Sequence, residues 1–170
     1  MPLKWIGAIL VVAGCGGLGF SLAMNYRREE KTLRQLLNIL EFMECELEFR
    51  LTALPQLCRE GAEHASGSVR QIFLALAEEL EMQVCPDAVC CMDMALRKAK
   101  ELPASARKLM LLLGQSLGRF DLKGQLSELA SVKAACREAL DELLCHRETR
   151  IRNYQTLGLC AGAALAILLI

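Results

Sequence analysis

The densest group of chemically capable side chains in this sequence is Cys85-Pro86-Asp87-Ala88-Val89-Cys90-Cys91. Thiolates are nucleophiles and soft-metal ligands, so the cluster raises two chemistries, thiol sensing and metal binding. A structural zinc site needs four well-spaced ligands, and no second half with matching spacing follows. The chain carries 9 Cys, an odd number, at positions 15, 45, 58, 85, 90, 91, 136, 145 and 160, with no Cys-x-x-Cys pair. A secreted disulfide scaffold would be smaller and richer in loops. Reduced thiols packed as small apolar side chains fit better, which expects the region holding them to be cytoplasmic. A membrane-anchored thiol or metal sensor using Cys85, Cys90 and Cys91 is the alternative.

Other catalytic patterns are thin. The 2 His are His64 and His146, and His146-Arg147-Glu148 is not a zinc-protease helix motif. Glu44, Glu46 and Glu48 stand two apart, so a helix sends them to different faces. There is no Gly-x-Ser-x-Gly, no Walker A and no dinucleotide fingerprint. The expectation is a non-enzymatic protein without a catalytic, cofactor-binding or metal residue. The 20 basic and 20 acidic side chains balance, which gives no reason to expect nucleic acid.

One segment departs from ordinary helical composition: Leu113-Gly114-Gln115-Ser116-Leu117-Gly118-Arg119-Phe120-Asp121-Leu122-Lys123-Gly124-Gln125-Leu126. Each Gly in a helix interior costs about 1 kcal/mol against Ala, so something must offset three of them. Gly114 and Gly118, four apart, would permit close helix approach. Gly118 could instead end one helix while Asp121 caps the next. Gln125 is placed to reach a neighbouring loop. Gly114, Gly118, Asp121 and Gln125 are the candidate interaction residues, and a plain helical hairpin is the competing reading.

The elements that must hold these residues follow from the distribution of charge. With 54% hydrophobic residues and a mean hydropathy of +0.29, the chain is more apolar than ordinary soluble domains. Lys4 is the one charged side chain before Arg27, and none follows Arg152. Residues 5–24 are uncharged and mostly apolar, and a helix of that length covers about 30 Å, a bilayer core. Arg27, Arg28, Lys31 and Arg34 follow at once. The positive-inside rule then sets the N-terminus outside and the middle region in the cytoplasm. Val12-Ala13-Gly14-Cys15 resembles a lipoprotein processing site, but the apolar run continues past Cys15. Ala13 with Gly17 and Cys15 with Gly19 are small-residue pairs suited to helix packing in lipid.

At the other end residues 157–170 are apolar, and Arg147, Arg150 and Arg152 precede them. That run makes about 21 Å of helix, short for a full crossing, though thinning or oligomerisation absorbs such a mismatch. A buried core helix is its competing reading. Gly158, Gly162 and Ala166 lie four apart on one face, a stripe that favours a helix partner in lipid: the first span, another copy, or another protein. Both arginine borders agree on orientation. The expected domains are 1–26, an N-terminal transmembrane helix; 27–153, a cytoplasmic bundle; and 154–170, a C-terminal membrane helix.

The middle region reads as helix throughout. Leu33, Leu36, Leu37, Leu40, Met43, Leu47 and Leu51 form a stripe that continues the first span. Thr52-Ala53-Leu54-Pro55 ends that helix and starts another, with Pro55 in the first turn. Ser66-Gly67-Ser68 is a break before Val69, Ile72, Phe73, Leu76 and Leu80. Pro86 opens a helix with Val89, Met92, Leu96 and Ala99, and Pro103 one with Leu109, Met110, Leu113 and Leu117. A last long helix carries Leu122, Leu126, Leu129, Cys136, Leu140 and Leu143 and runs on into the apolar tail. No stretch alternates like a strand, and the breaks are short. The expected fold is all-α, an antiparallel bundle of about six helices.

Taken together, these pieces resemble the stage III sporulation protein AB family of endospore-forming bacteria over essentially the whole length. The matching residues are the N-terminal apolar run with its basic border, Thr52-Ala53-Leu54-Pro55, the run from Leu113 through Gly114, Ser116, Leu117 and Gly118 to Asp121 with Gln125, and the ending from Leu157-Gly158 to Ile170. Phe120, Lys123 and the high Cys content depart from the pattern without touching it. The resemblance implies a subunit of the channel complex joining mother cell and engulfed forespore, in the mother-cell membrane around the forespore. It implies a bundle similar to the domain of the inner-membrane platform protein of type II secretion and type IV pilus systems. The implied role is a platform or scaffold, and the implied partners are a secretion-type ATPase, other channel subunits and further copies of the chain.

Overall fold

Five short breaks divide the described residues into six helices. In the computed structural model these are α1 (Pro2–Phe49), α2 (Leu54–Glu63), α3 (Gly67–Met82), α4 (Ala88–Lys98), α5 (Ala104–Ser116) and α6 (Leu122–Leu169). The structure describes the backbone of residues 2–169 except 84, 86, 100, 119 and 120, and within that set the side chains from Met24 to Cys145. Among the described residues there is no strand. The breaks follow local chemistry. Pro55 occupies the first turn of α2, where its missing N–H leaves no bond unmade. Ser66 and Asp87 stand in extended backbone at the starts of α3 and α4. Pro103 does the same for α5, because proline's ring prevents it from continuing a preceding helix.

Two compact units result: Glu29–Leu140, and Met1–Arg28 with Asp141–Ile170. The core of the first is built from the apolar stripes. Leu33, Leu36, Ile39, Leu40 and Met43 of α1, Ile72, Phe73 and Leu76 of α3, Met92 and Leu96 of α4, and Met110 and Leu113 of α5 are fully buried. Each such side chain contributes about 1.5–3 kcal/mol of transfer free energy. Helix α2 packs on α3, α3 on α4 and α4 on α5. α5 runs antiparallel to α4, since Arg107 donates to the Leu96 carbonyl at 3.3 Å while Gly114 faces Met92 and Ala88. Within this unit the first part of α6 lies antiparallel along the last part of α1: Arg137 reaches Glu41 at 2.7 Å, Lys133 pairs with Glu44, and the Cys136 thiol meets the Leu33 carbonyl. Glu30 with Arg34, Glu46 with Arg50 and Asp93 with Arg97 form ion pairs one helical turn apart, at 3.0, 3.5 and 2.8 Å.

Two residues of the expected stripes are exposed, and Leu37, Leu80, Val89, Leu126 and Leu143 are only half-buried. Leu51 lies beyond the end of α1 and is 66% exposed, and Leu122, the first residue of α6, is 41% exposed. Periodicity extends a face past the point where the helix stops; the stop itself is set by the chain reversal towards Pro55. Conversely Ile39, fully buried, belongs to the α1 face. Among the described residues no helix is long and apolar enough to cross a membrane. The runs 5–24 and 157–170, with Gly158, Gly162 and Ala166, lie outside the residues whose side chains are described, apart from Met24; the backbone is helical over 5–24 and 157–169.

Candidate functional site

The glycine-rich segment forms the corner between α5 and α6. Gly114 faces α4 so closely that a Cβ there would stand 2.8 Å from the Met92 Cβ and 3.5 Å from the Ala88 carbonyl oxygen. Only a residue without a side chain lets the two helices approach this far. Ser116, buried, donates its hydroxyl to the Leu113 carbonyl at 2.8 Å, and the Leu117 N–H donates to the same carbonyl at 3.1 Å. Gly118 then turns the chain with φ +74°, a left-handed conformation that favours glycine at a helix end. Asp121 begins the next helix: its Oδ1 accepts the Gly124 N–H at 3.1 Å, and its carbonyl accepts the Gln125 N–H at 2.8 Å. That is N-cap geometry. The Gln125 side chain is half-buried and makes no hydrogen bond among the described residues.

A second corner, between α1 and α2, adjoins this one. A Cβ on Gly118 would lie 3.8 Å from Leu54 Cδ2. At that second corner Leu51 has φ +53°, which costs a residue with a Cβ roughly 1–2 kcal/mol. Its N–H and that of Arg50 both donate to the Glu46 carbonyl, and Thr52 donates its hydroxyl to Glu46 Oε2 at 3.1 Å. Phe49 is 76% exposed beside it. Periodicity alone counts Leu51 in the core stripe and leaves Phe49 outside it. The available signal was the placement of Phe49 and Leu51 immediately before the Thr52-to-Pro55 break, where a core face has no helix left to carry it.

The remaining candidates are distributed as follows. Glu44 and Glu46 are committed to ion pairs with Lys133 and Arg50, and Glu48 is exposed. The His64 ring contacts Phe42 at 4.5 Å between centroids; His146 lies outside the described side chains. The thiols of Cys58 and Cys136, buried, are pushed up to about 12 and about 11 by desolvation. Cys85 is held up at about 11, chiefly by its hydrogen bond with Cys90, and then by desolvation and the neighbouring Cys90, Cys91 and Glu79. Burial first, then Cys90 and Glu79, raises Cys91. Thiols so far above neutrality present almost no thiolate, so Cys58, Cys85 and Cys136 are poor nucleophiles at pH 7. Among the described residues no group of three or more His, Cys, Asp or Glu is arranged to hold a metal ion.

Comparison with known proteins agrees with this architecture. Residues 4–170 match the profile of the stage III sporulation protein AB family. Stage III sporulation protein AB of Bacillus subtilis (strain 168) is 24% identical over 173 aligned positions, covering 98% of this chain and 99% of that protein. A solved structure of stage III sporulation protein AB superposes with a TM-score of 0.63 at 18% identity, over 72% of this chain and 98% of the other. The match runs through both apolar ends as well as the bundle. The chain therefore belongs to the stage III sporulation protein AB family.

Proposed function

We propose that this protein is a non-enzymatic platform of the sporulation channel complex between mother cell and forespore. Its apolar ends, 1–26 and 154–170, fix it in the mother-cell membrane, and the intervening bundle, 27–153, faces the cytoplasm. There it docks a secretion-type ATPase and other channel subunits. Family membership supports the sporulation role. The arginine borders support the orientation.

The observation that carries the docking reading is the pair of adjoining corners. Phe49 and Leu51 are large, apolar and exposed, Leu51 is held in a left-handed conformation, and the Gly114-to-Gln125 motif forms the neighbouring corner. Exposed apolar groups at a strained turn are features that interaction sites accumulate. Gly114, Gly118 and Asp121 shape the corner, and Gln125 is the polar group left for a partner.

Co-purification of the full-length, detergent-solubilised chain with the sporulation ATPase tests this reading. The wild-type chain is expected to retain the ATPase. The Phe49→Ser/Leu51→Ser double variant is expected to lose it while keeping its helicity. Retention by the double variant, or no capture by the wild type with a folded ATPase, refutes docking at this end.

A further inference from the structure

Helix α4 and the connector before it bring together sulfur atoms that the platform role does not use. Cys90 and Met94 are four residues apart on α4 and so share a face. Cys85 comes from the connector that leaves α3 through Gln83, whose φ is +50°. Its Sγ lies 3.4 Å from Met94 Sδ and is hydrogen-bonded with Cys90. Cys85 is therefore placed against α4, and sulfur meets sulfur there.

We propose that Cys85, Cys90 and Met94 form a binding site for copper(I). Two thiolates and a thioether are soft donors, and soft donors select this ion. The set is too small for structural zinc, which needs four ligands; it matches the two- or three-coordinate preference of a soft monovalent cation. The one buried carboxylate of α3, Glu79, has its charge balanced by Lys98 at 2.7 Å and is not counted as a ligand. Access is open, because Cys85 lines a surface cleft with Leu80, Gln83, Asp87 and Ala88. Cys91, on the same helix, is buried and is not one of the proposed ligands. Binding replaces two S–H protons with one Cu(I), leaves the Met94 thioether neutral, and changes no oxidation state.

The test is titration of the full-length, detergent-solubilised, reduced protein against the coloured copper(I)–bicinchoninate complex under anaerobic conditions. The wild type is expected to withdraw one copper per chain. Because two protons leave, the apparent constant should rise by about a hundredfold per pH unit below the thiol pKa values. Cys85→Ser and Cys90→Ser should each abolish withdrawal. Met94→Leu, which conserves volume and packing, should weaken it with helicity unchanged. Cys45→Ser and Cys145→Ser, at exposed thiols, should leave it intact. The proposal fails if the wild type takes no copper. It fails equally if Met94→Leu binds like wild type, or if Cys45→Ser loses as much as Cys85→Ser.

Discussion

Gly114 is the residue at which composition and packing are most tightly bound together. A glycine in the last turn of α5 would be a weakness if it faced water; here it is the contact point between α5 and α4. The atom that a new methyl would strike is the Met92 Cβ, 2.8 Å away, which is tied to the α4 backbone and cannot swing aside as a side-chain tip could. Gly114→Ala is therefore expected to destabilise the bundle by about 1–3 kcal/mol, the range for overpacking, despite alanine's better helix propensity. Thermal unfolding followed by circular dichroism checks this; a gain in stability would mean that α4 and α5 part easily. Leu51 illustrates the opposite bargain. Its backbone strain is not relieved by any burial of its side chain, since 66% remains exposed.

At the scale of elements, α2 and α6 each bury a thiol against the core, Cys58 and Cys136. Both titrate higher in the folded chain than the ordinary value of 9.0, at about 12 and about 11. The folded state thus holds these protons when the unfolded chain has released them. Their contribution to stability is complete below pH 9 and is lost as pH rises through 11 and 12, by about 1.4 kcal/mol per pH unit for each thiol at most. Urea midpoints measured from pH 8 to pH 11 should fall, and Cys58→Ala should flatten the slope even though it lowers the midpoint at pH 8. An unchanged slope in that variant would show that Cys58 ionises alike in both states. The ion pairs joining α1 to α6 matter less. Arg137 with Glu41 is about half exposed on both sides, and such pairs contribute about 0–1 kcal/mol.

For the whole molecule, the decisive feature is that charge is confined between Arg27 and Arg152 apart from Lys4. A chain so arranged is expected to stay with the membrane pellet under alkaline carbonate wash. A charge placed in the C-terminal run, as in Leu165→Arg, should weaken retention only when the N-terminal run is also removed, because residues 5–24 alone are long enough to anchor. Release of the unaltered chain by carbonate would overturn the membrane assignment.

The number and type of helices were legible from sequence because each carries its own apolar period and its own stop signal. Pro55, Ser66 and Pro103 mark boundaries by backbone chemistry that needs no partner. The corner at Gly118 and Asp121 was legible for the same reason: a left-handed glycine and a capping carboxylate act within four residues. Leu51 and Leu122 were not, because whether an apolar residue is covered depends on what lies opposite it. The need for glycine at position 114 depends on α4, more than twenty residues earlier in the chain. The meeting of Cys85 with Met94 joins a residue outside α4 to that helix, which no local period encodes. Local rules act through bonds and single turns, whereas coverage and close approach are set by the distance between segments, and only the folded chain determines that distance.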